Sequence, residues 1–352
     1  MTLTTERTTP SLAERFSGVV RRDPHVSRLV MILAGLLLLF LVLKPRNFTN
    51  LATWTSMAVQ FPEFGLMALG VMLTMLTGGI DLSVVGIANM TSIVAAVVML
   101  SLMPPEATGS AAALGILAAM GVSILLGAVA GVVNGLLVAK VKIPAILVTL
   151  GTLELFTGVA IVITAGRPIS GLPIEYSNVM AGKVLGIPMQ LIVFLIAVGV
   201  IAVIMKMTSF GTKLYMLGTN ATNAKFSGLG TTSLLVRTYM LSGIMASIAG
   251  LVMLANYNSA KADYGVVYTL LTVLIVVLGG VNPNGGSGRL VGVLLAIVTL
   301  QVLSSGLNLF PQISNFYRDL IWGGVLLLVI ATSDFGGRKF FRRRKTKELS
   351  TP

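Results

Sequence analysis

The chain has 352 residues, 55% of them hydrophobic and 11% charged, with a formal net charge of +13. Soluble domains carry about 25% charged residues, so an ordinary soluble enzyme is excluded and an all-α, polytopic transmembrane helical bundle is expected. Cysteine is absent, which excludes disulfides and thiolate metal sites, and the one histidine, His25, lies in a polar segment ahead of the first apolar run, which makes a Ser-His hydrolase hard to assemble.

The excess of positive charge invites comparison with nucleic-acid binders, yet its distribution follows membrane topology. Spanning the hydrocarbon takes about 20 mostly apolar residues. About ten spans are predicted, near 28–43, 54–77, 82–103, 111–139, 144–165, 187–205, 235–256, 264–280, 289–308 and 317–333. With the N-terminus inside, only Lys44, Arg46, Arg167, Lys183, Lys261 and Arg318 of the basic residues fall outside. That asymmetry fits a cytoplasmic face and anionic headgroups, and no nucleic acid is expected as a partner. The expected organisation is a cytoplasmic tail over 1–27, a transmembrane domain over 28–335 and a basic cytoplasmic tail over 336–352. Both termini then lie in the cytoplasm.

In chain order, the apolar run Leu29–Leu43 ends in Lys44-Pro45-Arg46 without a small-residue cleavage site, so it is read as an uncleaved first span. Pro62 and Glu63 interrupt the second span, whose first part is expected to be interfacial. Gly78-Gly79-Ile80-Asp81-Leu82-Ser83 follows: the glycines stop one helix and Asp81 is placed to cap the next. A carboxylate at membrane depth is costly, so Asp81 is expected to face protein, water or an interface, with capping preferred over a place in the transport path.

The fourth span carries Ser123, Gly127, Gly131 and Gly135 on one face, a stripe that lets a neighbouring helix approach closely, with Asn134 beside it bonding across. Pro144 starts the fifth span, and Thr149, Thr152 and Glu154 follow on it. Glu154 reads as a proton-coupling carboxylate or as the partner of a polar neighbour in the bundle interior, the second being preferred. Together with Asp81, Ser83 and Asn134, these three are the candidate pathway or structural polar residues.

About twenty-five residues from Met205 to Gly230 then turn polar, basic and glycine-punctuated. Gly218-Thr219-Asn220 offers a turn and an N-cap, Ala221 to Ser227 a short helix, and Gly228 a left-handed C-cap. Lys206, Lys213 and Lys225 place the stretch inside. It is either an ordinary connection or a helix that receives contact from a partner protein. Gly279–Arg289 is rich in glycine but lacks the lysine and strand context of a phosphate loop, so close backbone packing between two spans is expected there.

Four stretches, GGIDLS (Gly78–Ser83), IPAILVTLGTL (Ile143–Leu153), FGTKLYMLGTNATNAKFSGL (Phe210–Leu229) and LGGVNPNGGSGRLVG (Leu278–Gly292), resemble the permease subunit of ribose-type ABC importers over roughly residues 28–335. The resemblance implies a type II ABC-importer-like permease in the bacterial inner membrane, with a coupling-helix loop near 206–234. It implies that Gly218, Asn220, Ala221, Asn223, Ala224, Phe226, Ser227 and Gly228 meet a separate ABC ATPase. ATP and Mg would sit on that ATPase, leaving this chain without a cofactor or catalytic residue of its own. A periplasmic sugar-binding protein, a second permease copy (identical or a paralogue) and the lipid membrane complete the expected partners. The expected cargo is a monosaccharide, with an autoinducer-2-like furanose as an alternative. An ion-coupled secondary transporter using Asp81 and Glu154 is the rival from residues alone.

Overall fold

The computed structural model describes residues 24–103 and 109–310, together with 312, 317, 320, 323 and 324. Helix α1 (Pro24–Leu43) is followed by a short α2 (Pro45–Phe48), α3 (Leu51–Leu76), α4 (Val84–Leu102), α5 (Gly109–Ala139) and α6 (Ala145–Thr164). Strand β1 (Ile169–Ser170), α7 (Ile174–Ala181), β2 (Lys183–Val184) and β3 (Ile187–Pro188) lead into α8 (Met189–Met207). Then come α9 (Ser209–Thr219), α10 (Ala221–Phe226), α11 (Thr231–Tyr257), β4 (Ser259–Ala260), α12 (Tyr268–Leu278) and α13 (Leu290–Leu307).

Eight of these helices are long and apolar enough to cross a membrane: α1, α3, α4, α5, α6, α8, α11 and α13. They correspond to eight of the expected spans. The segment expected to span at 264–280 forms instead the 11-residue α12, which at 1.5 Å per residue reaches roughly 16 Å and covers about half the hydrocarbon. A turn precedes it and the glycine loop follows. Residues 1–23, the expected C-terminal tail and all but 317, 320, 323 and 324 of the expected tenth span lie outside the described residues, while 24–27 of the expected N-terminal tail belong to α1.

Helix α11 is the structural centre, packing most extensively on α5, α3 and α4. The α5 stripe explains the closest of these contacts. A Cβ on Gly127 would lie 2.6 Å from Ser247 Cβ, one on Gly131 would overlap the Tyr239 carbonyl, and one on Gly135 would lie 2.6 Å from Val236 Cα. Backbone therefore meets backbone along three turns, which is how small residues drive helix association where lipid competes equally for apolar side chains. Helix α3 is continuous from Leu51, without the separate interfacial piece expected before Pro62. The proline deprives the Ala58 carbonyl of its helical donor, and at the next carbonyl, Val59, Asn256 on α11 donates at 3.1 Å.

One end of the bundle carries the 206–234 loop. At the other, β1 pairs antiparallel with β4, and β2 pairs with β3 through a tight turn in which Leu185 and Gly186 have φ of 53° and 82°.

Candidate functional site

Three groups of functional interest occur at different depths. At the loop end, α9 runs straight through Gly218, so the turn expected at Gly218-Thr219 is absent. Gly218 serves a different purpose. A Cβ there would overlap the Leu76 carbonyl oxygen and the Gly286 amide nitrogen, which are hydrogen-bonded to each other at 3.0 Å. Absence of a side chain at 218 lets α9 seal onto the end of α3 and onto the glycine loop. Tyr215 adds a second tie, its hydroxyl donating to the Gly288 carbonyl at 2.9 Å, and burial raises its phenol above the ordinary range against the opposing charge of Arg289. Close backbone packing of the glycine loop, rather than flexibility, is thus found where the sequence predicts it.

Helix α10 projects from that seal. Asn220 caps it, its side chain accepting from the Asn223 amide at 2.9 Å. At the other end Gly228, at φ 76°, takes the left-handed position while its amide donates to Lys225 O at 3.1 Å and the Leu229 amide to Ala224 O at 3.1 Å. That is the paired bonding of a Schellman ending. Ala224 is the buried contact of the helix; Ala221, Asn223, Ser227 and Gly228 are exposed, and Phe226 is 87% exposed.

Midway along the chain's packing, Asp81 is fully buried in the turn between α3 and α4. It does not cap α4, whose first residue follows Ser83. Its Oδ1 accepts from the Ser83 amide at 3.0 Å and the Ser83 hydroxyl at 2.6 Å, and its Oδ2 accepts from the Ser242 hydroxyl at 2.7 Å. Asn134 donates to Ser83 Oγ at 2.7 Å, the cross-helix bond expected of it. The Thr149 hydroxyl proton is shared between Ile80 O at 3.0 Å and Ala145 O at 2.9 Å, so Thr149 fastens α6 to the same turn, whereas buried Thr152 bonds within α6, to Thr149 O at 3.4 Å. Glu154 is not among them: it lies exposed on α6, away from the bundle interior expected for it, because the inward face of α6 is taken by Thr149, Thr152 and Phe156. The carboxylates of Asp81 and Glu154 are not brought together.

The third group was missed from sequence. A cavity of about 380 Å³ lies between α3, α11, α12 and α13, lined by eleven residues that include Gln60, Glu63, Asn256, Tyr257, Tyr268 and Gln301. Glu63, 3% exposed, is its charged member. Glu63 Oε1 accepts from Asn256 Nδ2 at 2.6 Å, and Oε2 accepts from the hydroxyls of Tyr257 at 3.1 Å and Tyr268 at 3.0 Å. Asn256 is itself fixed by Gln190, which donates to its Oδ1 at 2.9 Å. Gln301 donates to Gln60 Oε1 at 3.3 Å and to Ser305 Oγ at 2.8 Å. The signal that would have found this group is the recurrence of Gln, Glu, Asn and Tyr in four separate apolar segments. No group of three or more metal-ligating residues occurs among the described residues.

Residues 53–330 match the family described as branched-chain amino acid transport system / permease component. The chain is 32% identical over 322 residues to the ribose import permease protein of Bacillus subtilis, covering 90% of this chain and 93% of that one. It is 29% identical over 300 residues to the D-allose transport system permease protein of Escherichia coli, with 85% and 89% covered. With the autoinducer 2 import system permease protein of Escherichia coli it shares 31% identity over 334 residues, covering 93% of each. No solved structure matches the chain.

Proposed function

The chain belongs to the branched-chain amino acid transport system / permease component family, and from that premise we propose that it is the membrane permease of an ATP-driven importer for a monosaccharide. The relatives named for ribose, D-allose and autoinducer 2 support a sugar-like cargo without choosing among them. The observation that carries the proposal is α10. Six residues do not hold a helix in water, yet this one is capped at both ends, anchored through Ala224 and presents Phe226 outward at 87% exposure. A short rigid helix bearing an uncovered aromatic ring is a contact for another protein.

In this reading a separate ATPase holds ATP and Mg and binds the surface formed by Asn220, Ala221, Asn223, Phe226, Ser227 and Gly228, at the cytoplasmic face. A binding protein delivers cargo at the opposite face of the bacterial inner membrane, and a second permease copy completes the path. Closure of the ATPase displaces α10, and Gly218 passes that displacement to α3 and the glycine loop because it has no side chain to yield. The partner must favour one state of the bundle by several kcal/mol to shift its population, energy that in this reading comes from the ATPase.

The test is Phe226→Ala in cells carrying the whole import system. Removing a ring that touches so little of its own chain leaves folding and membrane level unchanged while monosaccharide uptake falls at least about tenfold. Undiminished uptake would show that α10 is not the contact. Uptake by the wild type that survives ATP depletion but stops with an ionophore would reject the ATP-driven reading as a whole.

A further inference from the structure

The cavity around Glu63 has a lining that selects among kinds of ligand. At about 380 Å³ it falls within the roughly 300–1,000 Å³ of small-molecule sites. Seven of its eleven lining residues are polar, which disfavours an apolar occupant. Among the described residues one carboxylate and no Lys, Arg or His line it, so they offer nothing to balance the carboxylate of a zwitterionic amino acid and would repel a phosphorylated sugar. A carboxylate has about four acceptor positions, and three of those on Glu63 are used by Asn256, Tyr257 and Tyr268. One acceptor position remains, and Gln301 and Ser304 also line the cavity, the Gln301 carbonyl and the Ser304 hydroxyl making no hydrogen bond to another described side chain. The ring of Phe64, 5.7 Å from that of Tyr268, supplies apolar area for the C–H face of a small ring.

We propose that this cavity, lined by a single permease chain, is a holding site for one neutral polyol of monosaccharide size, with Glu63 accepting a ligand hydroxyl and Asn256, Tyr257 and Tyr268 fixing the carboxylate. The proposal rests on the reading of the chain as a sugar permease and adds the place where cargo pauses. Access is from the side of Gln60 and Tyr257, both exposed. Leu271 and Leu300 form the apolar floor on α12 and α13, and both are buried.

The experiment uses the full chain purified in lipid nanodiscs, with saturation-transfer NMR titrations of D-ribose and D-allose, and with ribose 5-phosphate, leucine and sodium as competitors. Saturable binding of at least one neutral sugar is expected. Glu63→Gln should raise its Kd about tenfold or more, the loss of a hydrogen bond to a charged acceptor. Leu271→Trp should abolish binding by filling the floor, and Ser304→Met is the milder filler should the tryptophan prevent folding. Binding unchanged in Glu63→Gln and in the folded filler, absence of saturable binding by either sugar, or displacement by leucine or sodium rather than by sugar would each overturn the proposal. The energy source of uptake is measured separately in cells. Sugar binding lost in the fillers supports the site even if uptake proves ion-driven, and ATP-driven uptake with unaltered binding removes the site while leaving the permease reading intact.

Discussion

Asn134 on α5 and Ser83 ahead of α4 stand 51 positions apart in sequence, yet Asn134 Nδ2 donates to Ser83 Oγ at 2.7 Å. Ser83 passes its own proton toward Asp81 at 2.6 Å, and Ser242 on α11 closes the far side of the carboxylate at 2.7 Å. Helices α5 and α11 are thereby tied to the turn between α3 and α4 around a single buried acid. Asp81→Ala leaves three donors buried without an acceptor and should lower stability by about 3 kcal/mol, whereas Asp81→Asn keeps one carbonyl acceptor and should lose less. Thermal loss of monodisperse protein in detergent measures both. Equal midpoints for wild type and the alanine variant would show that Asp81 does not hold the turn.

The α5 stripe separates two kinds of glycine on one helix. Gly131 has the Tyr239 and Met240 backbones where its side chain would be, and Gly121 has open space. Gly131→Ala should therefore push α11 away and cost more than about 2 kcal/mol. Gly121→Ala, by contrast, should stabilise by up to about 1 kcal/mol through helix propensity. Thermal midpoints moving the same way in both variants would refute the close approach.

These contrasts also mark how far sequence can be read. The spans were legible because apolar runs near 20 residues have one use in a membrane, and the caps at Asn220 and Gly228 because capping is local. Gly218 was not. A glycine in a turn and a glycine that admits a distant carbonyl look alike in sequence, and here Leu76 and Gly286 decide the matter. Glu63 registered only as an interruption of a span, since the residues that hold it, Asn256, Tyr257 and Tyr268, lie some two hundred positions away. Glu154 drew attention as an acid within a span, but periodicity alone did not say which face of α6 turns inward.

The cap on α10 gives a sharper local test. Asn220→Ala removes the acceptor for the Asn223 amide and should weaken the helix by about 1 kcal/mol, while Asn220→Asp retains it. Hydrogen exchange at the Asn223 and Ala224 amides should quicken in the alanine variant and stay near wild type in the aspartate one. Exchange that is identical in all three would mean that Asn220 contributes nothing to holding α10.

Gly218 and Gly228 flank the same helix, and alanine should cost stability globally at the first and only locally at the second. At 218 the added methyl overlaps the Leu76 carbonyl and displaces the Gly286 amide bonded to it, so α9 must lift from α3 and from the glycine loop together. Nothing flexible lies in the way to yield, and the cost should exceed about 2 kcal/mol and show as a lower thermal midpoint. At 228 the space is open and the penalty is the left-handed backbone at φ 76°, about 1–2 kcal/mol confined to the end of α10. Gly228→Ala should therefore keep the global midpoint and speed hydrogen exchange at Gly228 and Leu229, the two amides of the Schellman ending. If Gly218→Ala melts with the wild type while Gly228→Ala destabilises the whole chain, then α10, not α9, is the element fastened to the bundle, and the route from helix to α3 described above is wrong.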